Sequence, residues 1–424
     1  MGEVLLIALA VLIVLNVPIA FSIGAAAALA IWFNGRIPLF VVTQKMFTGM
    51  DSFALLAIPL FMIAGVLMER GGISRRLILL AKNCVGNIYG GLGIVTILAS
   101  MFFSAISGSA PATVVAIGSI MIPAMIRDGY DPKFAVALAA AAGTTGFVIP
   151  PSIPLVTYGI TMNASIGKLF AGGIVPGILM GLSMMLVCYL ICRKKGYKSR
   201  NFEKLRPLAA LKEASWGIMM PVIILGGIYG GFFTPTEAAA VACVYSLFVG
   251  LFIYKELTWK DAFKSFGDAA VPAAMVMMII GCAASMSWIM TTQQIPVKIT
   301  TFMTGLTDST AVMLLILNII LLITGCLMEV NAAVILLGPI MLPILLQFGI
   351  DPVHFGVVMI VNLAIGLLTP PMSINLFVAN GLRKDVPFKD VIVNCMPYLA
   401  ILMLVLLAIT YFPSIILSAA NFLG

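Results

Sequence analysis

Two proline pairs, Pro150-Pro151 and Pro370-Pro371, interrupt apolar stretches that otherwise read as helices. A proline pair removes two backbone donors and disfavours helical geometry in the preceding residue, so we expect Ile149 and Thr369 to be unwound. Their neighbours' carbonyl oxygens then need partners, because irregular backbone at membrane depth persists only where it is buried in protein or lines a water-filled cavity. Carbonyl oxygens bind cations well, so the two pairs predict cation sites.

Two other apolar regions, 88–126 and 311–348, are each too long for one span and are interrupted near the middle, at 104–113 and 325–331. Half-helices that restart after the four breaks would offer free N–H groups and N-terminal dipoles to an anion. They would begin at Ser109, Ser152, Asn331 and Ser373. Proline kinks with locally bonded hydroxyls are the structural alternative, but four breaks at symmetric positions favour a binding site.

Glu329 is the acidic residue that must lie well inside the membrane profile, because the other candidate acids fall at span ends. A carboxylate at that depth is costly and is a functional candidate by default. It could contact a bound solute, orient Asn331 and the neighbouring tip, or be protonated during transport. A purely structural role, as the cap of the half-helix that follows it, is the alternative.

The composition requires a membrane protein. Of 424 residues, 62% are apolar and 9% are charged, with a mean hydropathy of +1.16, whereas soluble domains carry about 25% charged residues. These values exclude a soluble enzyme, and the sequence has no phosphate-binding loop through which ATP could act. Nine apolar runs qualify as spans on length and lack of charge: 4–33, 51–68, 134–160, 170–192, 215–233, 237–254, 270–290, 353–380 and 391–417.

The basic residues predict an orientation for these spans. If the basic loop 193–212 is cytoplasmic, 20 lysines and arginines fall inside and 4 outside, a strong positive-inside bias. The N-terminus is then cytoplasmic and the C-terminus periplasmic, and the net charge of +8 needs no nucleic acid to explain it. The segment 69–82 mixes basic and apolar positions and is too short to span, so we expect an amphipathic helix in the cytoplasmic interface.

An internal repeat relates the breaks to one another. A shift of 220 residues aligns 109–160 with 329–380 without a gap and gives 12 identical pairs in 52, most of them Gly, Pro or Asp. Region 88–126 starts and ends inside, whereas 311–348 starts and ends outside, so the two repeats are inverted. Inverted repeats with broken helices are typical of secondary transporters, whose solute and ion sites lie where the repeats meet.

The sequence thus predicts an all-α polytopic membrane protein, an inverted-repeat secondary transporter with two re-entrant helical hairpins and two broken helices. The first transport repeat is 88–168, with a hairpin at 88–126 and a broken helix at 134–160, and the second is 311–382, with a hairpin at 311–348 and a broken helix at 353–380. Scaffold spans are predicted at 1–87, which includes the interfacial helix, and at 169–310, which includes the basic loop 193–214. A C-terminal span occupies 383–424.

Four segments resemble the large membrane subunit of tripartite ATP-independent periplasmic (TRAP) transporters. They are GGFFTPTEAAAV at 230–241, SAISGSAPATVVAIGSIMIPAM at 104–125, GYDPKFAVALAAAAGTTGFVIPPSIPLVTYG at 129–159 and GIDPVHFGVVMIVNLAIGLLTPPMSINLFV at 349–378. The resemblance covers nearly the whole chain. It implies sodium-driven uptake of acidic organic solutes, such as sialic acid or C4-dicarboxylates, across the bacterial inner membrane. It also implies an elevator, in which the hairpins and broken helices move against a scaffold.

The same resemblance implies two protein partners within a lipid membrane. A periplasmic solute-binding protein would deliver the substrate, and a small four-helix membrane subunit would accompany this chain. Some family members fuse the two membrane subunits; because this sequence begins with the large subunit, we expect the small one to be separate.

Carried over residue by residue, the resemblance also implies the sites. One sodium site looks like the first tip and break, at Ser107, Gly108, Gly146, Val148 and Pro150; the mirror site would consist of Gly325, Gly366, Thr369 and Met372. Substrate would lie between the tips, near Ser109, Thr145, Glu329, Asn331 and Ser373. The predicted site contains no Arg or Lys, so a substrate carboxylate would rely on half-helix N-termini, hydroxyls and sodium.

A second function stays open on the residues alone. A stand-alone cation-coupled exchanger of ions or organic anions would have a similar architecture but would need no binding protein. A channel would need a continuous lined pore, and two inverted hairpins that close on one midplane site favour alternating access instead.

Overall fold

The computed structural model describes residues 1–15, 17–85, 88–198, 207–370 and 373–423. Within these ranges the chain forms twenty α-helices. In chain order they are α1 (Gly2–Val14), α2 (Ile19–Asn34), α3 (Phe40–Met50), α4 (Ala57–Arg70), α5 (Ile73–Val85), α6 (Gly91–Ser107), α7 (Ala110–Arg127), α8 (Pro132–Gly143), α9 (Ile153–Thr161), α10 (Ile166–Lys195), α11 (Pro207–Tyr229), α12 (Pro235–Phe248), α13 (Trp259–Thr292), α14 (Ile295–Thr304), α15 (Thr310–Leu327), α16 (Val330–Gln347), α17 (Pro352–Gly366), α18 (Ile374–Gly381), α19 (Phe388–Tyr411) and α20 (Ser414–Leu423).

Nine stretches of the described chain are long and apolar enough to cross a membrane. The two longest are α10, with 30 residues, and α13, with 34. At 1.5 Å per residue these helices exceed the roughly 30 Å hydrocarbon core. The prediction of an all-helical membrane protein is confirmed.

The single span expected for 4–33 is wrong. The chain forms α1, which ends at Val14, and α2, which begins after Pro18, and the two helices pack against each other. Proline lacks the N–H that a continuous helix needs, and its fixed φ suits the start of a helix. The N-terminus was predicted to be cytoplasmic on the assumption that 4–33 crosses the membrane once. With two helices in this region, the count of basic residues no longer supports a cytoplasmic N-terminus. The orientations from residue 51 onward do not depend on it.

The helix breaks fall where the sequence predicts them. α6 and α7 meet at Gly108, whose φ of +59° is a conformation that glycine adopts without strain. α15 and α16 meet at Met328 and Glu329. α8 passes through a 3₁₀ turn, Thr144–Phe147, before α9 begins, and α17 ends eight residues before α18 begins.

The two repeats interlock through the half-helices that follow the breaks. α9, from the first repeat, packs on α16 of the second, and α18, from the second repeat, packs on α7 and α8 of the first. α15 packs on α17. The four broken elements therefore form one body around the point where the repeats meet.

Helices outside the predicted repeats contact this body. α4 packs on α6 and α9, and α13 packs on α16. α10 contacts α6 and α17, and α19 contacts α8 and α17. Lys133 at the start of α8 also forms an ion pair with Asp390 of α19, with 2.8 Å between Nζ and Oδ2.

Because Glu69 and Arg70 are the last residues of α4, only part of the predicted amphipathic segment 69–82 lies in the helix α5, which starts at Ile73. Its apolar side packs on α6 and α11. Arg76 lies over the ring of Tyr254 at 3.7 Å and 2.6 Å from Glu256. These two contacts connect α5 to the segment between α12 and α13, to which Tyr254 and Glu256 belong.

Candidate functional site

A cavity of about 560 Å³ lies where the two tips meet the neighbouring helices. This volume is in the range of small-molecule sites. One side is formed by the starts of α7, α9, α16 and α18, and the other by the start of α2 with parts of α4 and α13. Its polar lining consists of Ser109, Glu329 and Asn331, and the rest is apolar, including Pro18, Phe21, Met62, Pro111, Phe147, Ile153, Met275 and Leu367.

The first tip presents an open helix N-terminus. Ser109 precedes α7 as its N-cap residue, but its side chain makes no capping hydrogen bond. The Thr113 hydroxyl donates to the Ser109 carbonyl at 2.8 Å, and it lies 3.1 Å from the hydroxyl of Ser107. Pro111 has no N–H, and the Thr113 N–H donates to the Ser109 carbonyl at 3.1 Å. Within the described residues, the N–H groups of Ala110 and Ala112 are therefore the ones left without a side-chain cap.

The second tip is capped by its own carboxylate. Glu329 precedes α16, and its Oε2 accepts from the backbone N–H of Ala332 at 3.1 Å. Its Oε1 accepts from Nδ2 of Asn331 at 2.7 Å. The sequence offered a cap or a solute contact for Glu329, and the structure shows the capping bond on a side chain that also lines the cavity.

One hydrogen bond connects the second tip to the first repeat. The Thr157 hydroxyl, on α9, donates to Oδ1 of Asn331 at 3.0 Å. Both residues are almost fully buried, with 1% of Thr157 and 4% of Asn331 exposed.

The first break lies directly against the first tip. A methyl group on Gly146 would sit 2.5 Å from the Ser109 carbonyl oxygen, and one on Gly108 would sit 2.7 Å from that of Pro151. The backbone N–H of Ile153 donates to the Gly108 carbonyl at 3.4 Å. Glycine is therefore required at both positions for the backbones to approach.

Three predicted residues of the first repeat point elsewhere. The Thr145 hydroxyl lies 2.9 Å from the hydroxyl of Ser104 and donates to the Ala142 carbonyl, and it is fully buried behind the cavity wall. Val148 and Pro150 lie against Gly173 of α10, where an added methyl would meet the Val148 carbonyl oxygen at 2.7 Å. The structure thus packs the first tip against the first break at Gly108 and Gly146, and Val148 and Pro150 of the same break also contact α10.

The second break repeats this close approach. A methyl group on Gly366 would sit 2.6 Å from the backbone of Gly325. The Thr369 hydroxyl donates to the Ile365 carbonyl at 3.1 Å. Met372 lies outside the described residues. Ser373 is buried, its hydroxyl has no hydrogen-bond partner among the described residues, and it does not line the cavity.

Sequence reasoning missed two polar residues of the site. Thr157 was not distinguished from other helical threonines, because its partner is 174 positions away. Asn375, on the first turn of α18, is fully buried, and neither its amide oxygen nor its amide nitrogen has a hydrogen-bond partner in the described structure. The sequence did contain a signal for this residue, because an amide side chain follows the predicted half-helix start at Ser373 by two residues. An unpartnered buried amide is costly, so this group is available to a ligand.

Comparison with known structures supports a transporter fold. The chain superposes on the Alcanivorax borkumensis YdaH transporter with a TM-score of 0.66 and 16% identity, covering 88% of this chain and 87% of that one. It superposes on Neisseria gonorrhoeae MtrF, described as one of a class of antimetabolite efflux pumps, with a TM-score of 0.62 and 15% identity, covering 88% and 84%. At these identities the likeness shows a shared fold.

Sequence relatives are much closer. The chain is 47% identical to an isethionate TRAP transporter permease protein, DctMQ, of Oleidesulfovibrio alaskensis, over 96% of this chain, and it spans 64% of that relative's length. It is 44% identical to a C4-dicarboxylate TRAP transporter large permease protein of Pseudomonas aeruginosa, over 95% of this chain and 94% of that one. It is 38% identical to a sialic acid TRAP transporter large permease protein of Vibrio cholerae, over 94% and 93%.

The model of one protein family matches residues 6–415, nearly the whole chain. Its description is the DctM component of the tripartite ATP-independent periplasmic transporter. This match agrees with the interlocked repeats and with the relatives. The chain is therefore a large membrane subunit of the TRAP transporter family.

Proposed function

We propose that this chain carries a small organic anion across the bacterial inner membrane together with sodium, after a periplasmic binding protein has delivered the solute. The observation that carries the proposal is the solute-sized cavity between the starts of α7 and α16. Two inverted repeats meet there, as at the solute site of other secondary transporters.

The anionic group of the solute binds at the N-terminus of α7. That helix end has free N–H groups and no side-chain cap, and Ser109 lies on the cavity wall. The α16 terminus is already occupied by Glu329. No Lys or Arg lines the cavity among the described residues, so the helix end, Ser109 and the Asn331 amide provide the favourable contacts.

Sodium ions supply the missing positive charge. An anion in a largely apolar cavity beside a carboxylate needs a counter-charge, because an unpaired buried charge is strongly unfavourable. The expected ligands are hydroxyl and carbonyl oxygens at the two tips and breaks, which involve Ser107, Gly108, Gly146, Val148 and Pro150 in the first repeat and Gly325, Gly366, Thr369 and Met372 in the second. The Asn375 amide oxygen and the Ser373 hydroxyl oxygen, which have no hydrogen-bond partner among the described residues, are additional ligands for the second site.

The broken elements move as one body against the scaffold. Their interlocked packing supports a common motion, and the wall they face on α2, α4 and α13 is apolar, so sliding breaks few polar contacts. We assign α10 and α19 to the moving body, although the sequence placed both outside the repeats, because they pack on α6, α8 and α17. The two tips act as re-entrant hairpins in this motion.

The solute and the partners follow from the relatives. Their names describe transporters of isethionate, C4-dicarboxylates and sialic acid, which are all small organic acids. We propose a solute of this class, delivered by a binding protein and carried with the help of a small four-helix membrane subunit.

Uptake into proteoliposomes tests the proposal. Vesicles would contain this chain and its small partner, with radiolabelled isethionate, succinate or sialic acid outside, with and without an inward sodium gradient and the matching loaded binding protein. Uptake that requires both sodium and the binding protein supports the proposal and identifies the solute. Uptake without the binding protein favours a stand-alone exchanger, and uptake without sodium overturns the coupling.

A further inference from the structure

The amide of Asn331 is held in one orientation by two partners on opposite sides. Its Nδ2 donates to Oε1 of Glu329 at 2.7 Å, and its Oδ1 accepts from the Thr157 hydroxyl at 3.0 Å. Both oxygens of Glu329 accept here, Oε1 from the Asn331 amide and Oε2 from the Ala332 N–H, so the amide nitrogen faces Glu329 and the amide oxygen faces Thr157.

The Thr157 hydroxyl has one proton and two candidate acceptors. It lies 3.1 Å from the Ile153 carbonyl and 3.0 Å from Oδ1 of Asn331. The Ile153 carbonyl lies in a helix and accepts from the backbone whether or not Thr157 donates to it. Oδ1 of Asn331, in contrast, depends on the Thr157 hydroxyl as its side-chain donor. The proton is therefore directed to Asn331.

This orientation determines what the cavity offers to an anion. The Asn331 nitrogen has two hydrogens, of which one is used by Glu329, and the side chain lies on the cavity wall. The second N–H is free to donate to a solute oxygen. If the amide rotated, its oxygen would face the solute and repel an anion.

We propose that Thr157 is a positioning residue for solute binding, which acts by fixing the amide of Asn331 in its donor orientation. Thr157 belongs to the first repeat and Asn331 to the second, so this bond aligns a wall of the solute site across the repeat interface. Thr157 is outside the cavity lining and touches the solute only through Asn331. The inference depends on the proposed solute site.

The test compares four variants in the sodium-driven uptake assay: Thr157→Val, Thr157→Ser, Asn331→Ala and the double variant Thr157→Val/Asn331→Ala. Valine keeps the shape but removes the hydroxyl. We expect it to raise the KM for the transported solute about tenfold, the size of one good hydrogen bond, with little change in kcat. The sodium concentration for half-maximal uptake should stay the same, and serine should restore the KM to within about twofold.

The double variant separates positioning from a general loss of stability. If Thr157 acts through Asn331, the valine change has no further effect on KM once Asn331 is alanine; independent effects would multiply. Thr96→Val is the matched control, because Thr96 is fully buried in α6 and its hydroxyl donates to its own helix at Leu92. This control should leave the KM unchanged.

Each outcome distinguishes the inference from the function on which it depends. If Thr157→Val keeps the KM of the parent, Thr157 has no positioning role. The same conclusion follows if the effects of the two substitutions on the KM multiply in the double variant. Neither result affects the proposed function. A parent protein that takes up none of the three acids overturns the proposed function, and the inference falls with it.

Discussion

The two tips occupy equivalent places in the repeats but differ in chemistry. Ser109 and Glu329 align at an offset of 220, and each is the residue before a half-helix. Ser109 leaves its helix end open, whereas Glu329 occupies the other one. The two repeats thus have equivalent half-helix starts, which differ in whether the preceding side chain caps the helix. In the proposed site the solute anion can use only the uncapped end, so the repeat symmetry of the backbone would not extend to binding.

The surrounding polar groups are divided in the same way. The first repeat has the hydroxyls of Ser107 and Thr113 at its tip and of Thr145 at its break, while the aligned residues of the second repeat are Leu327, Ala333 and Ile365. The second repeat instead has Asn375 where the first has Leu155. If each repeat binds a cation, the ligands would include hydroxyl oxygens in the first repeat and amide or backbone oxygens in the second.

The close glycine contacts test whether the breaks are equivalent. Gly146→Ala and Gly366→Ala each place a methyl group within 2.6 Å of backbone, so each should lower the free energy of unfolding by about 1–3 kcal/mol and abolish most uptake. Thermal unfolding in detergent measures the first effect. Gly267→Ala, in α13 with nothing within 4 Å, is the control and should be neutral or slightly stabilising. Equal stability of Gly366→Ala and this control would refute the contact.

Asn375→Leu makes the second repeat resemble the first. Because it removes an unpartnered buried amide, the variant should be more stable than the parent in sodium-free buffer, by about 1–2 kcal/mol. Sodium should then raise the melting temperature of the parent more than that of the variant. A variant that is destabilised without sodium would mean that the amide has a structural partner.

The two N-cap residues should separate stability from binding. Glu329→Ala removes a capping bond and should cost about 1 kcal/mol of stability. Ser109→Ala removes no capping bond and should leave the melting temperature unchanged while raising the solute KM several-fold. The pair is measured by thermal unfolding and by uptake kinetics. A loss of stability in Ser109→Ala matching that in Glu329→Ala would remove the contrast between the tips.

The smallest expected difference concerns sodium. Ser107→Ala should raise the sodium concentration for half-maximal uptake about threefold, because its hydroxyl lies at the tip. Thr369→Val should have a smaller effect, since that hydroxyl already donates to its own helix. Identical sodium curves for the two variants would argue against hydroxyl ligation in the first repeat.

The sequence predicted the helix breaks because proline pairs and glycines act locally. Hydropathy could not separate α1 from α2, since residues 15–18 contain no charge and the apolar run continues on both sides of them. Glu329 could be identified because a carboxylate inside an apolar profile is rare. The Thr157–Asn331 bond depends on how α9 and α16 pack, and no local pattern encodes that packing.

The apolar wall of the cavity also bears on inhibition. A compound with an acidic head and a hydrocarbon tail could place the head at the start of α7 and the tail against Met62 and Met275, on α4 and α13. In the proposed elevator motion, such a molecule would contact both the moving body and the scaffold. It would block the transport cycle by preventing the two parts from moving past each other. Its potency would then depend more on the length of the tail than on its similarity to the natural solute.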